Sequence, residues 1–134
     1  MNVQAQFAPL VLLIDDDPAV LTVLEALLQQ GGFRSVSVGS AQKALDLLDT
    51  LPFDVILSDV KMPGMDGIET LREIKKKKPL VEVIMLTGHA SVESGIQGMQ
   101  LGAFDYVMKP VALDELLEKV RQAYDRKVIQ AGKA

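Results

Sequence analysis

Five short runs rich in apolar and β-branched residues, Leu10 to Ile14, Phe33 to Val38, Asp54 to Ser58, Val81 to Thr87 and Phe104 to Met108, begin roughly 20 to 27 residues apart. That interval is too long for hairpins and suits a helical crossover between parallel strands. The stretches between them agree, because their apolar residues step at helical intervals: Val20, Leu21, Leu24, Leu27 and Leu28, then Ala44, Leu45, Leu47 and Leu48, then Ile68, Leu71 and Ile74. Each stripe can cover one face of a sheet. Punctuation marks the same boundaries. Asp17-Pro18 reads as an N-cap followed by proline at the first helical position, Gly31-Gly32 closes that helix, and Ser40 caps the second. Ser91 with Ser94 nearby, and Asp114, open the fourth and fifth helices. The expected fold is α/β: a three-layer, doubly wound (βα)5 arrangement with five parallel strands, helices on both faces and right-handed crossovers.

With 134 residues and 49% hydrophobic content the chain can bury one ordinary core, expected over residues 9–128, with residues 1–8 and 129–134 as flexible extensions. There is no internal repeat or interdomain linker. The absence of cysteine removes disulfides, thiolate metal sites and thiol nucleophiles together, so chemistry falls to oxygen ligands, hydroxyls, Lys109 or His89. A net charge of −4 argues against direct nucleic-acid binding, which needs a basic face. The basic run Lys75 to Lys78 reads as the solvated last turn of a helix, favoured by the helix dipole and stopped by Pro79. No segment approaches the ~20 apolar residues of a membrane helix, and no signal peptide opens the chain, so the expectation is a soluble, cytoplasmic protein without a membrane partner.

Chemistry concentrates where the strands end. Asp15-Asp16-Asp17 follows the first strand directly, and Asp59 terminates the third, before the turn-rich Met62-Pro63-Gly64-Met65-Asp66-Gly67. If the strand order is 2-1-3-4-5, strands one and three are neighbours and these acids would converge at the topological switch point, where open α/β sheets bind ligands. Carboxylates about 4 Å apart repel by roughly 4 kcal/mol at an effective dielectric near 20, a cost that a divalent cation turns into attraction. Oxygen ligands without His or Cys select a hard cation, Mg²⁺ in preference to Ca²⁺, with Asp15 and Asp16 as metal-site residues and Asp17 as the helix cap. Thr87-Gly88 and Lys109-Pro110 end the fourth and fifth strands at the same rim. A threonine hydroxyl can donate to a phosphoryl oxygen, and a lysine ammonium can reach a phosphate or carboxylate.

The chain closely resembles the receiver domain of two-component response regulators, a CheY-like, flavodoxin-like fold. The residues carrying the resemblance are Asp15-Asp16, Asp59 within Ser-Asp-Val-Lys-Met-Pro-Gly-Met-Asp-Gly, Thr87 in Leu-Thr-Gly-His-Ala, and Lys109-Pro110 in Gly-Ala-Phe-Asp-Tyr-Val-Met-Lys-Pro. The resemblance implies that Asp59 accepts a phosphoryl group from a phosphohistidine on a sensor histidine kinase or a phosphotransfer protein. It implies that Asp16, Asp59 and the main-chain carbonyl of Lys61 bind Mg²⁺, for which Mn²⁺ can substitute, while Asp15 acts through water. Lys109 and Thr87 would assist the transfer, and Thr87 with Tyr106 would form the switch pair that alters the surface of the fourth helix, fifth strand and fifth helix. That surface would meet a downstream protein or a second copy of the chain. The Lys109-Pro110 bond would be cis, and His89 and Lys61 would tune water access to the acyl phosphate.

The implied role is a phosphoacceptor signalling domain that assists its own phosphorylation and dephosphorylation and is not an enzyme on an external metabolite. It would be a single-domain regulator or the amino-terminal receiver of a longer transcription regulator. Two other readings stand beside it. One is a dehalogenase-like aspartyl-phosphate hydrolase, whose Asp-x-Asp pattern Asp15 and Asp17 satisfy; the other is an interaction module independent of phosphorylation.

Overall fold

A computed structural model describes residues 8–60, 66–88 and 92–132. Within them, β1 (Leu10–Ile14), β2 (Arg34–Val38), β3 (Val55–Asp59), β4 (Glu82–Thr87) and β5 (Asp105–Met108) alternate with α1 (Pro18–Gln30), α2 (Ala41–Leu47), α3 (Gly67–Lys77), α4 (Val92–Gln100) and α5 (Leu113–Gly132). The strands form one parallel sheet in the order β2-β1-β3-β4-β5. The three central strands are buried along their whole length, which is why their apolar residues run consecutively, over 10–14, 55–57 and 83–86, and do not alternate with polar ones.

Alternate residues of each strand feed two separate cores. Leu10, Leu12, Ile14, Ile56, Val83 and Met85 pack with Ala44, Leu45, Leu71 and Ile74 of α2 and α3. Val11, Leu13, Val55, Leu57, Ile84, Leu86 and Val107 pack on the other face with Leu24 and Leu28 of α1 and Leu116, Val120 and Ala123 of α5. The period-2 alternation of side chains thus decides which pair of helices each strand residue meets.

The caps expected of Asp17 and Ser40 form, while Asp114 falls in the first turn of α5. Asp17 accepts from the Ala19 N–H with Pro18 opening α1, and the Ser40 hydroxyl accepts from the Lys43 N–H. Asp66 caps α3 by accepting from the Glu69 N–H at 2.8 Å. Ser91 lies outside the described residues. At the carboxyl end, α5 continues to Gly132, so residues 129–132 extend the fifth helix where a flexible tail is expected from sequence. Ala8, at the other margin, is tied to the sheet, its carbonyl accepting from Arg34 Nε and Nη2 at 3.0 and 2.8 Å.

The basic run at the end of α3 is not uniformly solvated. Lys75 turns inward, donating to the carbonyls of Pro79 and Val81 at 3.2 and 2.8 Å and lying 3.8 Å from Glu82, which is 2% exposed and also faces Arg126 at 3.7 Å. Two further acids near strand starts are met by lysines of α5: Asp54 by Lys127 at 2.9 Å and Asp105 by Lys119 at 3.1 Å. The amino-terminal edge of the sheet is therefore an ion-paired edge that anchors α5.

Burial pushes Lys75 below the ordinary lysine range; Glu82 opposes that shift and Arg126 reinforces it. Between its lowered folded pKa and the ordinary lysine value the unfolded chain holds more of this proton, so the contribution of Lys75 to stability rises with pH across that window. Urea unfolding of the wild type and Lys75→Met from about pH 8 to about pH 10 checks this: the variant should lose part of the alkaline gain in stability.

Candidate functional site

At the carboxyl edge the sheet's hydrogen bonding runs past the strands and holds the rim residues in place. The Asp15 N–H donates to Val38 O at 3.2 Å, Val60 N–H to Leu86 O at 3.1 Å, and Lys109 N–H to Thr87 O at 2.7 Å. The pairing of β1 with β3 sets Ile14 opposite Ser58, so Asp15 and Asp59, each one residue further on, stand side by side. Carboxylate oxygens of Asp15, Asp16 and Asp59 all lie within 4.8 Å of one another.

The three acids sit in different environments. Asp15 is 1% exposed and Asp59 9%, whereas Asp16 faces solvent. Asp15 Oδ1 accepts from the Asp17 N–H at 2.9 Å, and its Oδ2 accepts from Lys109 Nζ at 3.1 Å. The same ammonium lies 3.4 Å from Asp59 Oδ1. Burial alone would lower the Lys109 pKa, but the Asp15 hydrogen bond and the charges of Asp59 and Asp15 outweigh it, holding the pKa above the ordinary lysine value. Lys109 is therefore a fixed positive charge at neutral pH. Among the described residues, Lys109 meets two of the three carboxylates, Asp15 and Asp59, and the three acids form an all-oxygen donor set that fits a hard divalent cation. The Lys109–Pro110 peptide bond is cis.

Thr87, the last residue of β4, is fully buried, and its hydroxyl donates to the thioether sulfur of Met108 at 3.3 Å. Tyr106 is half-buried against the core on the same face of the sheet as Met85. Lys119 of α5 donates to the Tyr106 carbonyl at 3.0 Å, with its Nζ 5.9 Å from the ring centroid. Asp17 is occupied in capping α1, which withdraws it from the Asp-x-Asp hydrolase pattern. Lys61 and His89 lie outside the described residues.

Gly67 has a role that sequence reading attributes only to a turn. Its N–H donates to Val60 O at 2.7 Å, and a Cβ there would fall 2.5 Å from both Asp59 O and Val60 Cα. The first residue of α3 thus abuts the backbone that carries Asp59, an approach only glycine allows. The signal in the chain is the Asp66-Gly67 pair itself, an N-cap and a side-chain-free first residue. Because the overlap is with backbone, Gly67→Ala should destabilise the fold by about 1–3 kcal/mol, read as a lowered urea midpoint, and should shift the Asp59 amide resonance.

The family profile described as the response regulator receiver domain matches residues 11–121. The chain is 40% identical over 111 residues to the DNA-binding transcriptional regulator NtrC of Klebsiella pneumoniae, an alignment covering 83% of this chain and 24% of that protein. It is 38% identical over 113 residues to the transcriptional regulatory protein ZraR of Escherichia coli K12, covering 84% of this chain and 26% of the relative. The chain thus spans about a quarter of the length of these relatives. Among solved structures, a response regulator receiver domain protein from Clostridium thermocellum superposes with a TM-score of 0.87 at 35% identity, covering 91% of this chain and 98% of that one. The receiver domain of NtrX from Brucella abortus superposes with a TM-score of 0.81 at 28% identity, covering 86% and 98%.

Proposed function

The chain belongs to the response regulator receiver family, and from that membership we propose that Asp59 accepts a phosphoryl group in a Mg²⁺-dependent transfer from the phosphohistidine of a sensor kinase or phosphotransfer protein. The observation that carries this reading is the convergence of Asp15, Asp16 and Asp59 with Lys109 at the carboxyl edge. Receiver domains generally bind Mg²⁺, and the donor set here fits it. When bound, the ion would be held by Asp16, Asp59 and the Lys61 carbonyl, with Asp15 acting through water, and would offset charge on the transferring phosphoryl oxygens.

A carboxylate oxygen of Asp59 attacks phosphorus in line as the bond to the donor imidazole breaks, leaving an acyl phosphate on Asp59 and a neutral donor imidazole once it takes up a proton. Lys109, already between Asp15 and Asp59, needs little reorganisation to meet the negative charge that develops, the condition under which electrostatic stabilisation is strongest. The Thr87 hydroxyl then turns to the phosphoryl group and Tyr106 moves inward, altering the surface of α4, β5 and α5 for a downstream protein or a second copy. A differential stabilisation of a few kcal/mol suffices to move such a two-state population.

A protein donor must reach Asp59 across the rim. An apolar groove of about 370 Å³ opens beside Lys109, between Val20 and Val23 of α1 and Pro110 and Val111, and Val23 is 58% exposed there. Its contiguity with Lys109 supports it as the seat of the phosphohistidine-bearing domain.

A small phosphodonor such as acetyl phosphate with Mg²⁺ should add one phosphoryl group, seen by intact mass, and Asp59→Asn should abolish the addition; labelling of the variant at another residue would overturn the assignment. Val23→Asp should slow transfer from a phosphorylated kinase by about tenfold, the effect of roughly 1.4 kcal/mol, while labelling by acetyl phosphate stays at the wild-type rate. Equal slowing with both donors would exclude the groove as a docking surface.

A further inference from the structure

Thr87 and Met108 are register partners across the parallel β4–β5 pair, and Met85 and Tyr106 are partners two residues earlier. The alternation of side chains therefore puts Thr87 and Met108 on one face of the sheet, the face that also carries Tyr106. Thr87 is 0% exposed, so its hydroxyl cannot use bulk water; its hydrogen-bond acceptor among the described residues is the Met108 sulfur at 3.3 Å. A buried hydroxyl needs a partner, and a thioether is a weak one. Thr87 is thus satisfied enough to be held and weakly enough to be drawn away by a charged phosphoryl oxygen, whose bond with a hydroxyl is roughly twice as strong as a neutral one.

We propose that Met108 is the resting-state latch for Thr87: a positioning residue whose sulfur holds the hydroxyl back from Asp59 and so sets how readily phosphorylation engages the switch. The idea rests on the reading of Asp59 as phosphoacceptor and adds to it the residue that opposes the rearrangement. It assigns the methionine immediately before Lys109 a part that its neighbours in the motif do not suggest. It also has a signed consequence. An isosteric side chain without an acceptor leaves the resting hydroxyl unpaired, favouring the phosphorylated arrangement; a stronger acceptor of similar length does the reverse.

The test is titration of beryllofluoride, a stable phosphoryl mimic, into the Mg²⁺-loaded chain, followed by ¹H–¹⁵N amide shifts. Met108→Leu should tighten the mimic about 2- to 5-fold and Met108→Gln should weaken it by a similar factor, the range of one ordinary hydrogen bond. In a Thr87→Val background both effects should vanish, because the latch acts through the Thr87 hydroxyl; a packing effect of residue 108 would persist there. Shifts of equal sign for Leu and Gln, or effects unchanged by Thr87→Val, would overturn the latch. Failure of the wild type to take up phosphate from acetyl phosphate would instead overturn the phosphoacceptor reading, so the two failures are distinguishable.

Discussion

Lys109 bridging Asp15 and Asp59 is the interaction on which the rest of the site depends. Two nearly buried carboxylates on neighbouring strands repel, and burying charge without a partner is costly. A lysine held by the backbone bond from its own N–H to Thr87 O, with its ammonium between the two acids, makes that arrangement tolerable. It also couples three strands through one ammonium, because Asp15 follows β1, Asp59 ends β3 and Lys109 follows β5. Asp59 is therefore linked through that ammonium to the end of β5, the strand that carries Tyr106.

The two edges of the sheet divide the work. At the amino-terminal edge Asp54, Glu82 and Asp105 are matched by Lys127, Arg126 with Lys75, and Lys119, so charge there anchors α5 and is largely compensated. At the carboxyl edge acids outnumber the one described lysine that faces them, and the residual negative charge is what a divalent cation would meet. Backbone packing is equally asymmetric: Gly67 lets α3 press against the main chain of Asp59 and Val60. The strand that carries Asp59 is thus braced from behind.

Much of this was legible in the chain. Periodicity and spacing fixed the number and kind of elements, since a strand buried on both faces must be a continuous apolar run and a covering helix must show a stripe. Asp17-Pro18 and Ser40 announced their caps, because only short polar side chains can satisfy the first free N–H groups of a helix. Asp15, Asp16, Asp59, Thr87 and Lys109 stood out by position alone, as polar residues where apolar strands stop. Less legible was the fate of long side chains: Lys75 looks like its solvated neighbours in sequence, yet it folds inward to Glu82.

What the sequence determined by itself was therefore the parallel α/β architecture and the set of groups delivered to one edge, because both follow from local periodicity and from where each strand ends. Only the tertiary structure decided the partnerships: which acid Lys109 holds, why position 67 tolerates no Cβ, and that the Thr87 hydroxyl rests on the sulfur of Met108. Those depend on register between strands distant in sequence and on ångström-scale approach of backbones, quantities that no run of residues encodes locally.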